Sequence, residues 1–156
     1  MAGLTDRPDS PYLDWDSVET MQFDWGYVKW ITAGDEQAPE FPTTGVVVFL
    51  PGKGHGRRNH PESHELLYVV AGQGEQMVED PAGEPIIRPV HAGDAVRIPR
   101  GVYHSTVNTG WEPMRLLVIY APSGAEAALR EVPGFRGIPA GQFPPLIMPP
   151  PGAGAG

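Results

Sequence analysis

The sequence predicts an all-β sandwich or barrel. Its apolar runs are four to eight residues long and rich in β-branched and aromatic side chains, the length and composition of strands. Each run is stopped by glycine or proline. At 20 and 19 of 156 residues, these two types are too frequent to leave room for long helices.

Residues 1–20 read as an extended, polar N-terminal arm. "MQFDWGYVKWITAG" carries aromatic and β-branched residues around a central glycine, so a strand or a bent pair of strands is expected. "DEQAPEFP" is loop, and "TTGVVVFL" (43–50) is a strand ended by Pro51 and Gly52. After the polar stretch "RRNHPESHE" (57–65), "ELLYVVAG" (65–72) is a strand that "QGEQMVED" continues past a glycine. "DPAG" (80–83) is a turn, and shorter strands follow in "EPIIRPVHAGD", "AVRIP" (95–99) and "GVYHSTVNTG". "PMRLLVIYAP" (113–122) closes a barrel spanning 21–122. Ser123 and Glu126 are spaced as a capping box, which predicts a short helix over 123–132 ended by Pro133 and Gly134. Residues 133–156 form a Pro/Gly-rich tail without periodicity, expected to be disordered alone or to lie extended against the barrel or a partner subunit.

Composition narrows the function. A net charge of −8 with only two lysines, Lys29 and Lys53, disfavours nucleic acid and anionic membranes, both of which need clustered positive charge. The absence of cysteine removes disulfides, thiolate metal sites and cysteine nucleophiles, so any metal must be held by His, Asp or Glu. The first residues lack the basic and apolar blocks of a signal peptide. No apolar run reaches the roughly 20 residues that span a bilayer, and a cytoplasmic protein is expected.

The chemistry-bearing residues crowd around "RRNHPESHE". A turn at "PES" returns the chain so that His60 and Glu65 meet at one end of the barrel interior, and His104 approaches from another strand. Imidazole and carboxylate from different strands, with positions left open, suit a catalytic divalent metal. The same residues also suit a solvated polar turn and a satisfied strand-end histidine, and spacing does not separate the two. Alternation offers two inward sets on 43–50, Val46/Val48/Leu50 or Val47/Phe49. It also offers Leu67, Val69, Val96, Ile98, Leu116, Val118 and Tyr120 as apolar lining, with Gln76, Tyr68 and Tyr103 as polar lining.

Two motifs shift the balance towards the metal site by resemblance. Gly52, then five residues, Arg58, Asn59, His60, "PESH", Glu65, six residues and Gly72 resemble the first motif of the cupin family, G-x5-H-x-H-x(3 or 4)-E-x6-G. Gly93, Pro99, Gly101, His104 and Asn108 match the second, G-x5-P-x-G-x2-H-x3-N, at every position. The resemblance implies a double-stranded β-helix, the jelly-roll barrel of that family. It also implies one divalent metal ion (Zn, Fe, Ni or Mn) on His60, Glu65 and His104, a small-molecule substrate and a homodimer.

The sequence departs from the family at Arg58, where a histidine ligand is expected. A guanidinium has no lone pair to donate. His64, at the end of the turn, is a candidate fourth ligand, and His55 a weaker one, three residues from Arg58 and so on the opposite strand face. Arg58 reads as a rim cation balancing Glu62 or Glu65, as a clamp for an anionic substrate, or as a mark of lost metal binding. His64, Arg58 and Tyr103 are the expected catalytic residues. The strings "NHPESHELLYVVAGQGEQMVED" and "GVYHSTVNTGWEPMRLLVIYAP" are similar to small cupins of aromatic polyketide pathways, which implies Lewis-acid-assisted cyclisation or isomerisation. An Fe(II) dioxygenase and a non-catalytic binding cupin are the alternatives.

Overall fold

The computed structural model describes residues 11–33 and 40–144. The chain forms β1 (Thr20–Phe23), β2 (Gly26–Thr32), β3 (Thr43–Phe49), β4 (Gly54–Arg58), β5 (His64–Ala71), β6 (Gln73–Glu79) and β7 (Pro85–His91). β8 (Ala95–Ile98), β9 (His104–Asn108), β10 (Met114–Ala121) and β11 (Arg136–Ile138) follow. Seven strands pair antiparallel in the order β11-β1-β2-β3-β10-β5-β8, and four in the order β4-β9-β6-β7. The two sheets face each other as a double-stranded β-helix, the fold class expected from the sequence.

The inward residues follow the period of two that strands impose. On β5 and β10, Leu67, Val69, Leu116, Val118 and Tyr120 are buried, as expected. On β3 it is Val47 and Phe49 that face inward, which selects one of the two sets the sequence left open. Tyr68 lies between inward Leu67 and Val69 and is therefore 43% exposed on the outer face, not part of the lining. Phe23 stacks on Trp25 at 4.6 Å and Trp25 meets Phe49 at 5.1 Å, closing one end of the core with aromatic area.

Glycines of both motifs take the positive φ that side chains disfavour. Gly72 (85°) and Gly93 (97°) turn the chain out of β5 and into β8, and Gly101 (73°) prepares β9. Pro89 sits in β7, at the edge of its sheet, where a missing N–H breaks no ladder bond.

Two expectations change, and the tail takes one of the forms left open. The helix after Pro122 is a 3-10 helix, Ala125–Glu131, whose cap is Gly124 rather than Ser123. The Glu126 carboxylate instead accepts the Gly124 N–H at 2.8 Å. The first part of the tail is ordered as β11, which pairs with β1, and the tail beyond residue 144 lies outside the described residues. Within the expected arm, Trp15–Ser17 form a 3-10 turn, and the Lys29 ammonium donates to the Trp15 and Val18 carbonyls at 2.9 and 3.1 Å. Residues 1–10 are likewise outside the description.

Candidate metal centre

His60, Glu65 and His104 converge between the sheets, with their ligand atoms all within 4.8 Å of one another. Glu65 comes from the start of β5, His104 from the start of β9, and His60 from the segment leaving β4. Two backbone-level links hold these segments together. The Gly101 N–H donates to the His60 carbonyl at 2.9 Å, and the Asn59 amide donates to the Gly101 carbonyl at 3.1 Å. The Pro99–Gly101 turn of the second motif thus positions the histidine of the first.

The cluster is buried: Glu65 is 2% exposed and His104 0%. Glu65 Oε2 lies 2.9 Å from His104 Nε2 and 3.3 Å from His60 Nε2. Despite that proximity, neither ring Nε2 nor either Glu65 oxygen has an aligned hydrogen-bond partner. His104 Nδ1, in contrast, lies 3.1 Å from the Val102 carbonyl. A carbonyl only accepts, so Nδ1 donates to Val102, and Nε2 is the ring atom that faces the cluster. This is the outer-shell arrangement that fixes metal-ligating histidines. Leaving a buried polar atom unsatisfied costs about 1–3 kcal/mol. Four such atoms aimed at one point fit a divalent cation, and the N/O donor set fits Zn, Fe, Ni or Mn.

Burial alone would push the Glu65 carboxyl up. The His104 and His60 rings and the Arg58 guanidinium outweigh it and hold the group well below the usual carboxylate range. The ionised form is the one a metal needs.

Arg58 is directly opposite His104 in the β4–β9 pair, so both side chains share the inner face. Its Nε is buried without a hydrogen-bond partner, and its charge acts on Glu65, His55 and Tyr120. That placement, partly buried on the inner face, differs from a fully solvated rim cation.

His64 is not brought to the centre. It precedes inward Glu65 on β5 and faces out, exposed, because alternation holds straight through the end of the turn. His64→Ala is therefore expected to leave metal affinity within about twofold of wild type, the scatter of exposed substitutions, as measured by competition with a chelating dye. Tyr103 is also placed elsewhere. Its ring lies under the Arg57 guanidinium at 3.5 Å, and Arg57 in turn binds Glu79 through Nε at 2.5 Å and Nη2 at 3.2 Å.

Two residues that the sequence offered only weakly, His55 as a minor ligand candidate and Tyr120 as lining, lie at the centre. His55 opposes inward Thr106, and a register shift between His55 and Arg58 lets both face inward although they are three apart. A bulge of this kind defeats strict alternation. The His55 ring packs at 5.7 Å from His104 and 5.6 Å from Phe49, with Nδ1 on the Gly56 carbonyl at 3.0 Å. Desolvation, with the Arg58 charge next, lowers its pKa from 6.5 to about 3. Tyr120, which the alternation of β10 placed inside but gave no role, opposes Glu65 and lies 4.7 Å from the His60 ring. Burial, and after it the Glu65 carboxylate, pushes the Tyr120 phenol up, so it keeps its proton.

The sign of the His55 shift fixes a pH dependence. The folded chain binds fewer protons than the unfolded chain between pH 6.5 and about 3. Stability drawn from neutral His55 is thus complete above 6.5 and is lost as pH falls through that window. Glu65, also held low, acts in the same direction. Thermal melts of the metal-free chain are expected to show a steady fall in Tm on acidification below about pH 6.5, less steep in His55→Phe.

Fold and site together define a small β-barrel with a buried His–Glu–His cluster between its sheets. The cupin domain family matches residues 45–120, and the chain belongs to the cupin superfamily. Protein SchB of Streptomyces halstedii is 34% identical over 97 residues, 57% of this chain and 67% of that protein. A glucose-6-phosphate isomerase of Thermococcus kodakarensis is 36% identical over 91 residues, 58% of this chain and 48% of the isomerase. The chain thus spans about half the length of that isomerase. Among solved structures, BH2720 of Bacillus halodurans superposes with a TM-score of 0.51 at 27% identity, over 55% of this chain and 65% of that one. Oxalate decarboxylase of Bacillus subtilis gives 0.59 at 23% identity, over 66% of this chain and 27% of the decarboxylase, a likeness of fold.

Proposed function

We propose that the chain is a metal-dependent cupin enzyme acting on a small organic, aromatic or polyketide-type substrate by Lewis-acid-assisted cyclisation or isomerisation. The observation that carries this reading is the convergence of His60 Nε2, His104 Nε2 and both Glu65 oxygens as buried atoms without an aligned hydrogen-bond partner, with His104 Nδ1 held at the Val102 carbonyl. His60, Glu65 and His104 would hold the ion. When bound, a divalent ion there supplies Lewis acidity to a substrate carbonyl.

The surrounding residues take complementary parts. Arg58, always cationic, directs N–H donors to where negative charge develops on oxygen. Tyr120, with its proton retained, donates a hydrogen bond from the opposite wall. His55, neutral and with Nδ1 committed to Gly56, offers Nε2 as an acceptor for a substrate hydroxyl. Val69, Leu116 and Val118 are buried in the core between the sheets, and such apolar surroundings suit a planar carbon skeleton better than a free sugar. The outer face of β5 exposes Leu66, Tyr68 and Val70, which supports pairing of two copies into a homodimer. Only monomer in sedimentation at micromolar concentration contradicts that pairing.

Anaerobic reconstitution with Zn, Fe, Ni and Mn, followed by metal analysis and oxygen-uptake measurement, tests the reading. Stoichiometric metal without oxygen consumption is expected. Stoichiometric iron with substrate-dependent oxygen uptake turns the assignment to a dioxygenase. No retained metal leaves a binding cupin.

A further inference from the structure

A cleft of about 440 Å³ lies between the segment 59–63, which joins β4 to β5, and the start of the 3-10 helix. His60 is part of its wall, so the cleft and the candidate centre share a residue. Of the three candidate ligands, His60 is the one that reaches solvent. Its side chain is 12% exposed, whereas those of Glu65 and His104 are 1% and 0%. Register ties the base of the cleft to the same place. The hydroxyl of buried Ser63 donates to the Pro122 carbonyl at 2.8 Å and clasps the two walls together. Two residues further along β5, and two residues back along β10, stand the paired Glu65 and Tyr120. The Tyr120 ring in turn lies 4.7 Å from the His60 ring.

The opposite wall is shaped by the period of the 3-10 helix. Three residues per turn place positions i and i+3 in one row. Glu126 and Leu129 form the buried row, and Ala127 and Arg130 the exposed one. Ala125 and Ala128 form the third row, and both line the cleft. Their methyl groups, with Pro61 on the facing wall, give the cleft an apolar lining. Glu62 is exposed at its rim, and among the described residues that line it there is no lysine or arginine. An anionic group in the cleft therefore meets no countercharge.

We propose that this cleft is the passage by which substrate reaches the His60–Glu65–His104 centre, and that the Ala125–Ala128 row sets the width it accepts. Resting on the enzyme reading above, this assignment narrows the substrate class. The part of the molecule that trails out of the centre is apolar and uncharged, and the reacting oxygen lies at the ligand cluster. The volume falls within the roughly 300–1,000 Å³ of small-molecule sites. Ala125 and Ala128 touch no ligand atom of the centre and act by size alone, so they determine specificity without being catalytic.

Titration of the full, cobalt-loaded chain with imidazole, 4-phenylimidazole and 4-(imidazol-4-yl)benzoate, followed by visible absorption, tests the passage. Each probe ligates the metal through nitrogen, and the last two trail a ring back along the way in. Ala128→Leu is expected to weaken 4-phenylimidazole by about tenfold or more while altering imidazole by less than about twofold. Ala127→Leu, the same change in the exposed row, should leave all three within about twofold of wild type. The benzoate should bind wild type about twofold to fivefold more weakly than 4-phenylimidazole, the scale of exposed charges. Tighter binding of the benzoate overturns the uncharged class. Equal affinity for 4-phenylimidazole in wild type and Ala128→Leu, or binding of imidazole alone by wild type, overturns the passage. Equal loss of imidazole and 4-phenylimidazole in Ala128→Leu, a fault in the centre itself, does so too. Loss of 4-phenylimidazole in Ile86→Trp instead moves the entrance to the groove between β7 and β8 and likewise overturns it. If the chain takes up no cobalt, the enzyme reading fails by itself. Carbethoxylation of His60 in the metal-free chain, mapped by mass spectrometry, then decides the passage. Slower labelling in Ala128→Leu than in wild type supports it, and equal labelling overturns it.

Discussion

Glu65→Gln is expected to abolish stoichiometric binding of a divalent ion while leaving the barrel folded. The substitution keeps the shape of a side chain that is only 2% exposed and replaces its anionic oxygens by a neutral amide. Loss of outer-shell support weakens metal sites by roughly 10–100-fold, and loss of a charged ligand should exceed that. His104→Ala should abolish binding as well, but it also empties a fully buried ring position, so its result mixes lost ligation with a cavity. Equilibrium dialysis against zinc, with melting of the metal-free protein alongside, separates the two. A moderate fall in the metal-free Tm of Glu65→Gln is expected, because the folded chain favours the ionised carboxylate and a neutral amide loses its attraction to the two rings and Arg58. Full metal occupancy in Glu65→Gln removes the carboxylate from the ligand set.

Asn108→Ala is expected to give the largest loss of stability at a motif position, about 3 kcal/mol at roughly 1 kcal/mol for each hydrogen bond. Asn108 is fully buried. Its amide donates to the Phe49 carbonyl at 3.0 Å and the Glu112 carbonyl at 2.8 Å, and its Oδ1 accepts the Gly110 N–H at 2.8 Å. The backbone joins the same knot, with Asn108 N–H on the Lys53 carbonyl and Gly52 N–H on the Asn108 carbonyl. One side chain therefore fastens the end of β3, the turn into β4 and the turn after β9. Asn108→Asp should be at least as damaging, since it removes two donors and buries a charge facing two carbonyl oxygens. Urea unfolding of the metal-free proteins reads the effect, and a cost below about 1 kcal/mol contradicts this structural role.

Asn108 also illustrates what a motif conveys. Its spacing from His104 marks the second motif in the sequence, yet its contacts are architectural and do not touch the metal centre. The strand order of elements was legible because each β-branched run ends at a glycine or proline. The inward set on β5 and β10 followed from alternation, which those strands obey without interruption at the site. Where alternation failed, so did the reading. The bulge between His55 and Arg58 carries no signal in the residue pattern beyond Gly56, and it turns a weak candidate into a neighbour of His104. Conversely, His64, the candidate fourth ligand at the end of the turn, keeps to strict alternation and faces out. Tyr103 was misplaced because its neighbour His104 is inward, so its own ring had to face away, towards Arg57 and Glu79. A capping pattern foretold a helix after Ser123, but with Gly124 as the cap and so few residues before Pro133, only 3-10 turns form.

The departure at Arg58 takes on a definite meaning in this arrangement. Family resemblance alone left it as a lost ligand, a rim cation or a clamp. Its pairing with His104 puts the guanidinium on the inner face, where it acts on the ionisation of Glu65 and His55. The site thus retains three donors and gains a fixed positive charge, a combination suited to stabilising negative charge on oxygen.

X-ray absorption spectroscopy of the zinc-reconstituted chain tests the central claim most directly. One zinc per chain with two imidazole ligands and a carboxylate oxygen, reduced to one imidazole in His104→Ala if any zinc remains, is the result expected. Substoichiometric zinc, or a spectrum without imidazole scattering, contradicts the assignment of His60, Glu65 and His104 as a metal centre.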